Sequence, residues 1–262
     1  MDISYLFYLS SGLFLGWSLG ANDASNIFGT AVGSKMVRFT TIALISCFFV
    51  ILGAVYGGAG TSKTLGSLGA VNALAGAFMV ALSAALAVYF MARTGLSVSS
   101  SQAVVGAIIG WNIYAEKPTD LETLAQICTT WTLCPLLSGI VAVCLYFFFK
   151  KILKCSRMHL LMRDQITRIG LVVTAAISAY ALGANNIANA VGMFVESCPF
   201  KPLKIGKLTT FTPEQVLFFL GAVAVSVGIL TYSKKIIMTV GNNLMKMTPI
   251  TAWIVVLSQA IV

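Results

Sequence analysis

The sequence predicts an all-α polytopic membrane protein that is built from two repeats of opposite orientation. Of its 262 residues, 58% are hydrophobic and only 10% are charged, a balance outside the range of soluble domains. The stretch LGANDASNIFG, Leu19 to Gly29, returns 163 residues later as LGANNIANAVG, Leu182 to Gly192, with six of eleven positions identical. Two matched polar motifs in so apolar a chain indicate a duplicated unit.

Long apolar runs divide the chain into membrane-spanning segments. A spanning helix needs about 20 predominantly apolar residues. A shorter run at 95–113 is a further candidate, as a re-entrant segment or half-helix. The runs of spanning length cover residues 3–34, 39–60, 70–92, 125–149, 169–195, 213–233 and 248 to the end.

A basic segment sets the predicted orientation. Residues 150–168 carry six Lys and Arg residues between two apolar runs, as cytoplasmic loops do. If 95–113 crosses the bilayer, five crossings precede this loop, so the N-terminus lies outside and the second motif begins its crossing from the inside. We therefore expect a first repeat at 1–149, a cytoplasmic loop at 150–168 and an inverted second repeat at 169–262.

Inverted repeats with matched polar motifs are typical of secondary transporters, whose binding sites lie where the repeats meet. In each motif a glycine stands before the polar residues, Gly20 in the first copy and Gly183 in the second. Glycine would permit a helix to break there, which frees carbonyl groups for a cation and N–H groups for an anion. We therefore expect broken helices at both motifs.

Asp23 is the only acidic residue deep within an apolar run. An aspartate at a helix centre costs about 2.5 to 3.5 kcal/mol on insertion scales, so it requires a partner. Its own run contains no Lys or Arg, which leaves a bound cation, a proton or another segment. Asn22 and Asn26 add amide groups around it, and the second copy offers Asn185, Asn186 and Asn189. We interpret both clusters as parts of a binding site.

A third polar segment, TGLSVSSSQAVVGAIIG, runs from Thr94 to Gly110. Its serines and Gln102 stand immediately before a short apolar stretch. Hydroxyl and backbone N–H groups at the N-terminus of a half-helix bind an oxyanion without a formal positive charge. The alternative is a polar loop at the membrane surface.

Together, the doubled Asn-rich motif and the V-S-S-S-Q segment resemble the inorganic phosphate transporter (PiT) family of ion-coupled phosphate permeases, which usually has V-S-T-T-H in that segment. The resemblance runs over essentially the whole chain. It implies sodium-coupled symport of phosphate across the cytoplasmic membrane, with proton-coupled transport of phosphate, or transport of sulfate or another oxyanion, as the alternative.

The resemblance also implies the site residues. Phosphate is expected at Ser99, Ser100, Ser101, Gln102, Asn22 and Asn185. Sodium is expected at Asp23, Asn26, Asn186 and Asn189. The expected partners are inorganic phosphate and the lipid bilayer, with no nucleic acid and no organic cofactor, and the glycine-rich faces would allow a homodimer.

Three features depart from the family pattern. Asn186 stands where aspartate is common, which removes one charge and leaves the number of coupled cations open. Gln102 replaces a frequent histidine, which weakens a proton-relay role. The sequence stops at Val262 before a second serine-rich hairpin, so we expect the second repeat to be incomplete.

Two other classes of function, a channel and an intramembrane enzyme, fit the sequence less well. A channel would conduct without a fixed cation stoichiometry. An intramembrane enzyme is disfavoured because the single histidine, His159, lies in the basic segment, and the apolar runs contain no Ser/His or paired-carboxylate set. We therefore expect a transporter rather than an enzyme.

Overall fold

The structure is a computed structural model that describes residues 3–68, 74–95, 97–155, 159–205, 209–243 and 248–261. Within these ranges the chain is mainly helical, as predicted, with one short antiparallel strand pair in which Leu203 faces Phe211. The helices are α1 (Ile3–Gly33), α2 (Phe39–Leu68), α3 (Leu74–Arg93), α4 (Ser100–Tyr114), α5 (Leu121–Cys155), α6 (Leu160–Val191), α7 (Pro213–Thr231), α8 (Ser233–Asn243) and α9 (Pro249–Ile261). The strands are β1 (Leu203–Ile205) and β2 (Thr209–Phe211).

Five helical stretches among the described residues are long and apolar enough to cross a membrane, which confirms a multi-pass membrane protein. The predicted run at 70–92 corresponds to α3, and its first four residues lie outside the described ranges. The last predicted run appears as the 13-residue helix α9. The five stretches are Phe39–Ser62, Leu74–Arg93, Leu121–Ile152, Leu160–Phe194 and Pro213–Thr231.

The expected helix breaks at Gly20 and Gly183 are wrong. Helices α1 and α6 continue through both glycines without interruption. A side chain at Gly20 would collide with the carbonyl oxygen of Val225, and one at Gly183 would collide with that of Val50. Small residues let membrane helices approach closely. Both glycines therefore allow close packing of the helices, and this packing explains them without a helix break.

Two further glycines make equivalent contacts. A side chain at Gly53 would meet the carbonyl of Tyr180, and one at Gly228 would meet the carbonyl of Trp17. A shift of 163 residues carries Gly20 and Trp17 of α1 onto Gly183 and Tyr180 of α6, and a shift of 175 carries Val50 and Gly53 of α2 onto Val225 and Gly228 of α7. The contact of α1 with α7 therefore matches that of α6 with α2. Inversion of the halves 1–149 and 169–262 stays a prediction.

The basic segment 150–168 is mostly helical, which differs from the predicted loop. Helix α5 continues to Cys155, and α6 begins at Leu160 after His159, whose side chain accepts a hydrogen bond from the N–H of Leu161 at 3.4 Å. Lys and Arg are good helix formers, so a cluster of cations does not end a helix. The cytoplasmic position of this segment stays a prediction.

Helix α1 lies at the centre of the fold, in contact with α3, α6, α7 and α8. Helix α4 begins beside α1 and α6 and packs against α3. Helix α5 lies outside this group, and its apolar stretch Leu121–Ile152 has no buried residue within the structure, as suits a helix surrounded by lipid. The packing brings the polar parts of α1, α4 and α6 together.

Candidate functional site

Asp23 lies in the middle of α1 with only 4% of its surface exposed. Its Oδ1 accepts a hydrogen bond from Nδ2 of Asn22 at 2.6 Å. Its Oδ2 accepts from Oγ of Ser100 at 3.0 Å and from Nδ2 of Asn186 at 2.8 Å. All three donors are neutral, and they come from α1, α4 and α6. The carboxylate therefore connects both motif copies to the serine segment.

Asn22 ties the segment before α4 to α1. Its Nδ2 donates to the carbonyl of Val98 at 2.7 Å, and its Oδ1 accepts from the backbone N–H of Val98 at 3.0 Å. The second hydrogen on Nδ2 goes to Asp23. An amide has two donor hydrogens, so Asn22 has none left for the phosphate that was predicted to bind there. In this structure it positions Val98 and Asp23.

The half-helix predicted from the serine segment is α4, whose first residue, Ser100, is buried beside Asp23. Ser99 caps the helix, and its Oγ accepts from the N–H of Gln102 at 3.4 Å. The first N–H groups of a helix have no intrahelical acceptor, and the helix dipole makes this end partially positive. The N-terminus of α4 therefore favours negative charge, and Asp23 stands next to it.

A cavity of about 390 Å³ opens at this junction. Asp23, Ser100 and Asn186, which are joined by hydrogen bonds, all face it. No Lys or Arg is among its lining residues. Its lining consists of Asp23, Asn26, Ser97, Val98, Ser99, Ser100, Leu182 and Asn186. Five of the ten predicted site residues therefore face one cavity, which receives side chains from both motif copies.

The other five predicted residues do not line the cavity. Ser101 and Asn189 meet each other behind it, where Nδ2 of Asn189 donates to Oγ of Ser101 at 3.2 Å and lies 3.5 Å from Oδ1 of Asn186. Asn22 holds Val98, as described above. Gln102 and Asn185 are exposed and do not line the cavity. The structure thus separates residues that face the cavity from residues that support it.

Three lining residues were not predicted. Ser97 belongs to the same serine segment and could have been included from its composition. Val98 was missed because its role depends on its backbone groups, which the side-chain pattern does not show. Leu182 opens the second motif copy, one turn before Asn186, and its apolar side chain resembles that of any core residue. Only Ser97 had a usable sequence signal.

The donor set suits a hard cation. One carboxylate, two asparagine side chains and several hydroxyl groups provide oxygen atoms around the cavity, and hard cations prefer oxygen ligands. Among the described residues no group of three or more His, Cys, Asp or Glu side chains is found. The charge available to a cation at this cavity therefore comes from Asp23.

Comparison with known proteins places the chain in a family. The sequence profile of the phosphate transporter family matches residues 19–262. A protein of Methanocaldococcus jannaschii, provisionally named as a phosphate permease, is 24% identical over 90% of this chain and 69% of its own length. The sulfate permease CysP of Bacillus subtilis is 30% identical over 88% of this chain and 62% of its own length. The chain thus spans about two thirds of these relatives.

A solved structure of a sodium-dependent phosphate transporter has the same fold. It superposes with a TM-score of 0.79 at 20% sequence identity, and the match covers 99% of this chain and 83% of that chain. At this identity the likeness concerns the fold. The family profile spans nearly all of the sequence, and the chain therefore belongs to the phosphate transporter family.

Proposed function

We propose that the protein carries inorganic phosphate across the cytoplasmic membrane by symport with sodium. One observation carries the proposal: a single buried carboxylate, Asp23, joins both motif copies and the N-terminus of α4 at the wall of a polar cavity. Membership of the phosphate transporter family supports the substrate. The fold shared with a sodium-dependent phosphate transporter supports the coupling ion.

Phosphate would bind in the cavity through neutral donors. Ser97 and Ser99 would supply hydroxyl groups, and the N-terminus of α4 would supply backbone N–H groups and a partial positive charge. The hydroxyl hydrogen of Ser100 is donated to Asp23 and would become available to phosphate only when a cation occupies that carboxylate. Helix N-termini bind phosphate groups in this way without lysine or arginine. Ser99 and Ser100 were predicted for this task, and we add Ser97 to the proposal because it lines the same cavity.

Asp23 explains why a cation would be required. Its carboxylate lies beside the same helix N-terminus that the phosphate would use, so two negative groups would compete for one set of donors. Like charges a few ångströms apart repel strongly in a site of low dielectric. A cation bound to Asp23, with oxygen atoms of Asn26 and Asn186 nearby, would remove this repulsion. Phosphate and cation would then bind together.

The membrane potential requires the same coupling. Moving one charge against 100 mV costs about 2.3 kcal/mol, so a divalent anion costs about 4.6 kcal/mol on its way to a negative interior. Two monovalent cations cancel this cost, and a third makes uptake favourable. Asp23 supplies one carboxylate, so further cations would rely on neutral oxygen atoms.

Alternating access would follow from the paired helices. Asp23 and Asn186 occupy equivalent positions of the two motif copies, and they are hydrogen-bonded to each other. Equivalent residues meet in this way when two inverted repeats are related by an axis that passes between them. Movement of one half against the other would break this bond and expose the cavity to the opposite side of the membrane.

The test is uptake of labelled phosphate into proteoliposomes that contain the full protein, with and without an inward sodium gradient. We expect sodium-driven uptake in the wild type and its loss in Asp23→Asn, which keeps the shape and removes the charge. Asp164→Asn makes the same change at an exposed residue of α6 and serves as the matched control. Sodium-driven uptake that survives in Asp23→Asn would exclude this role of Asp23.

A sulfate or proton-coupled permease is the second candidate, favoured by the 30% identity to the sulfate permease CysP. Hydrogen phosphate has a proton to donate, whereas sulfate has only acceptors. An oxygen atom of Asn26 directed at the anion would therefore prefer phosphate. Competition of unlabelled sulfate with labelled phosphate, under a sodium gradient or a proton gradient, distinguishes these cases.

A further inference from the structure

A second concave site, which we call the basic pocket, lies at the turn that connects α1 to α2. Its volume is about 590 Å³, and three cationic side chains border it: Lys35 and Arg38 from the turn, and Arg168 from α6. Its other lining residues carry no charge. They are Val32, Met36, Val37 and Thr41. Two distant parts of the sequence thus bring three positive charges to one pocket without a negative charge among its lining residues.

These three cations have no charged partner among the described residues. Their side chains form no ion pair or hydrogen bond within the part of the chain that is described. Asp164, one helical turn before Arg168, is exposed and is not paired with it. Three like charges around one pocket repel each other, and their summed field attracts an anion. An anion between them would lower that repulsion.

The backbone at the pocket adds hydrogen-bond donors. Helix α2 begins at Phe39, directly after Arg38. Its first N–H groups have no intrahelical acceptor, and this end of the helix is partially positive. The hydroxyl group of Thr41 lines the pocket as well. Guanidinium groups, an ammonium group and helical N–H groups together form the donor set that recognises phosphate groups.

The basic pocket is separate from the Asp23 cavity. The two share no lining residue. Val32, the first pocket residue along α1, follows Asp23 by nine residues, which corresponds to about 14 Å of helix. The chemistry also differs, since neutral donors surround a carboxylate in one site and cations without a carboxylate border the other. A ligand of the basic pocket is therefore distinct from one bound beside Asp23.

We propose that the basic pocket binds a phosphate group, carried either by an acidic lipid headgroup or by free phosphate. Basic pockets between membrane helices bind anionic headgroups, and Val32, Met36 and Val37 provide apolar surface beside the charges. Free phosphate offers the same anionic oxygen atoms. In either case the ligand joins the α1–α2 turn to α6, the helix that carries Asn186.

The test uses the full wild-type protein in sodium-free buffer, where the charge of Asp23 opposes a phosphate in the transport cavity, so that a ligand there contributes little. The delipidated protein in neutral detergent is unfolded by heat during titration with inorganic phosphate, with short-chain phosphatidic acid, or with phosphatidylcholine of the same chain length. We expect a saturable rise in Tm with at least one of the first two probes and none with phosphatidylcholine. A response to phosphate identifies free phosphate as a ligand, and a response to phosphatidic acid alone identifies the headgroup.

Substitutions locate the binding. Arg38→Gln and Arg168→Gln should each raise the half-saturating concentration about tenfold, because each removes a charge-assisted contact. Lys35 has a φ of 58°, a left-handed conformation that asparagine tolerates, so Lys35→Asn removes its charge without new strain. Lys234→Gln removes an exposed charge from α8 and should leave the titration unchanged.

Two results would overturn the proposal. One is the absence of any rise in Tm with both inorganic phosphate and phosphatidic acid. The other is an equal loss of affinity in Lys234→Gln and in the pocket variants, since this would indicate attraction by net charge alone. The three cationic side chains of the pocket are exposed, so the ligand-free Tm of each variant should equal that of the parent and report correct folding.

Discussion

The two motif copies have nearly the same sequence but different surroundings. Asn22 is fully buried and holds Val98, whereas its counterpart Asn185 is exposed. The relation is reversed one turn later, where Asn26 is exposed at the cavity and its counterpart Asn189 is buried against Ser101.

Among the described residues, the serine segment 97–101 contacts the two copies differently. Residues 97–101 contact the first copy through Val98 and the second copy through Ser101. One asymmetric segment cannot give two equivalent helices the same environment. The repeated sequence therefore shows which positions of the two copies are equivalent. The contacts that each position makes depend on the serine segment packed between the copies.

The largest expected effect comes from moving the carboxylate between the copies. Asp23→Asn should lower sodium-driven phosphate uptake at least about 100-fold, because the charge that holds the cation is lost. The double variant Asp23→Asn with Asn186→Asp restores an amide–carboxylate pair across the same contact. Because this pair is restored, we expect the Tm of the double variant to return to that of the wild type. Its phosphate uptake should stay low, because Asn22 and Ser100 still surround position 23 and not position 186.

Uptake and thermal unfolding of the single and double variants check this expectation. Full uptake by the double variant would show that the two positions are interchangeable, and the asymmetry described above would then be functionally unimportant. Asp164→Asn in each background controls for the loss of a carboxylate elsewhere.

The next effect is a loss of stability at the two glycines that pack alike in both copies. Gly20→Ala and Gly183→Ala should each destabilise the protein by about 1 to 3 kcal/mol, because the new methyl group meets a backbone carbonyl of the facing helix. Thermal or denaturant unfolding measures this loss. Gly106→Ala in α4 meets nothing within 4 Å, so it should be neutral or slightly stabilising. Unequal losses at Gly20 and Gly183 would contradict the matched packing.

A smaller effect separates the first asparagines of the two copies. Asn22→Ala removes both hydrogen bonds to Val98 and leaves its backbone groups unsatisfied, at a cost of about 2 kcal/mol. Asn185→Ala changes an exposed side chain and should alter stability by less than about 0.5 kcal/mol. Unfolding of both variants in the same detergent measures the two losses of stability. Equal losses would contradict the different roles of Asn22, which binds Val98, and Asn185, which is exposed.

Much of this arrangement follows from the sequence. Hydrophobic runs locate the helices because burial in lipid requires them. The isolated charge of Asp23 and the matched asparagines indicate the site, because polar groups at membrane depth need partners. Five of ten predicted residues line the cavity, and Ser101 and Asn189 lie directly behind it.

Sequence could not predict what depends on three-dimensional contacts. Gly20 is compatible with a helix break and with close packing, and only the position of Val225 decides between them. The rotation of α6 that exposes Asn185 and buries Asn189 depends on where α4 packs. The basic pocket unites Lys35 and Arg38 with Arg168, more than 120 residues away along the chain, and no local pattern connects them.

The smallest expected effects concern the last asparagine of each copy, Asn26 and Asn189. They distinguish a residue that binds the cation from a residue that stabilises the fold. Asn189→Ala removes its hydrogen bonds to Ser101 and Asn186 and should cost about 1 kcal/mol of stability, while the sodium concentration for half-maximal uptake stays unchanged. Asn26→Ala should do the reverse, since Asn26 lines the cavity and is otherwise exposed: stability stays constant and half-maximal uptake needs about tenfold more sodium. If Asn189→Ala instead raised the sodium requirement without a loss of stability, Asn189 would itself bind the ion, and the second copy would contribute to the cation site as fully as the first.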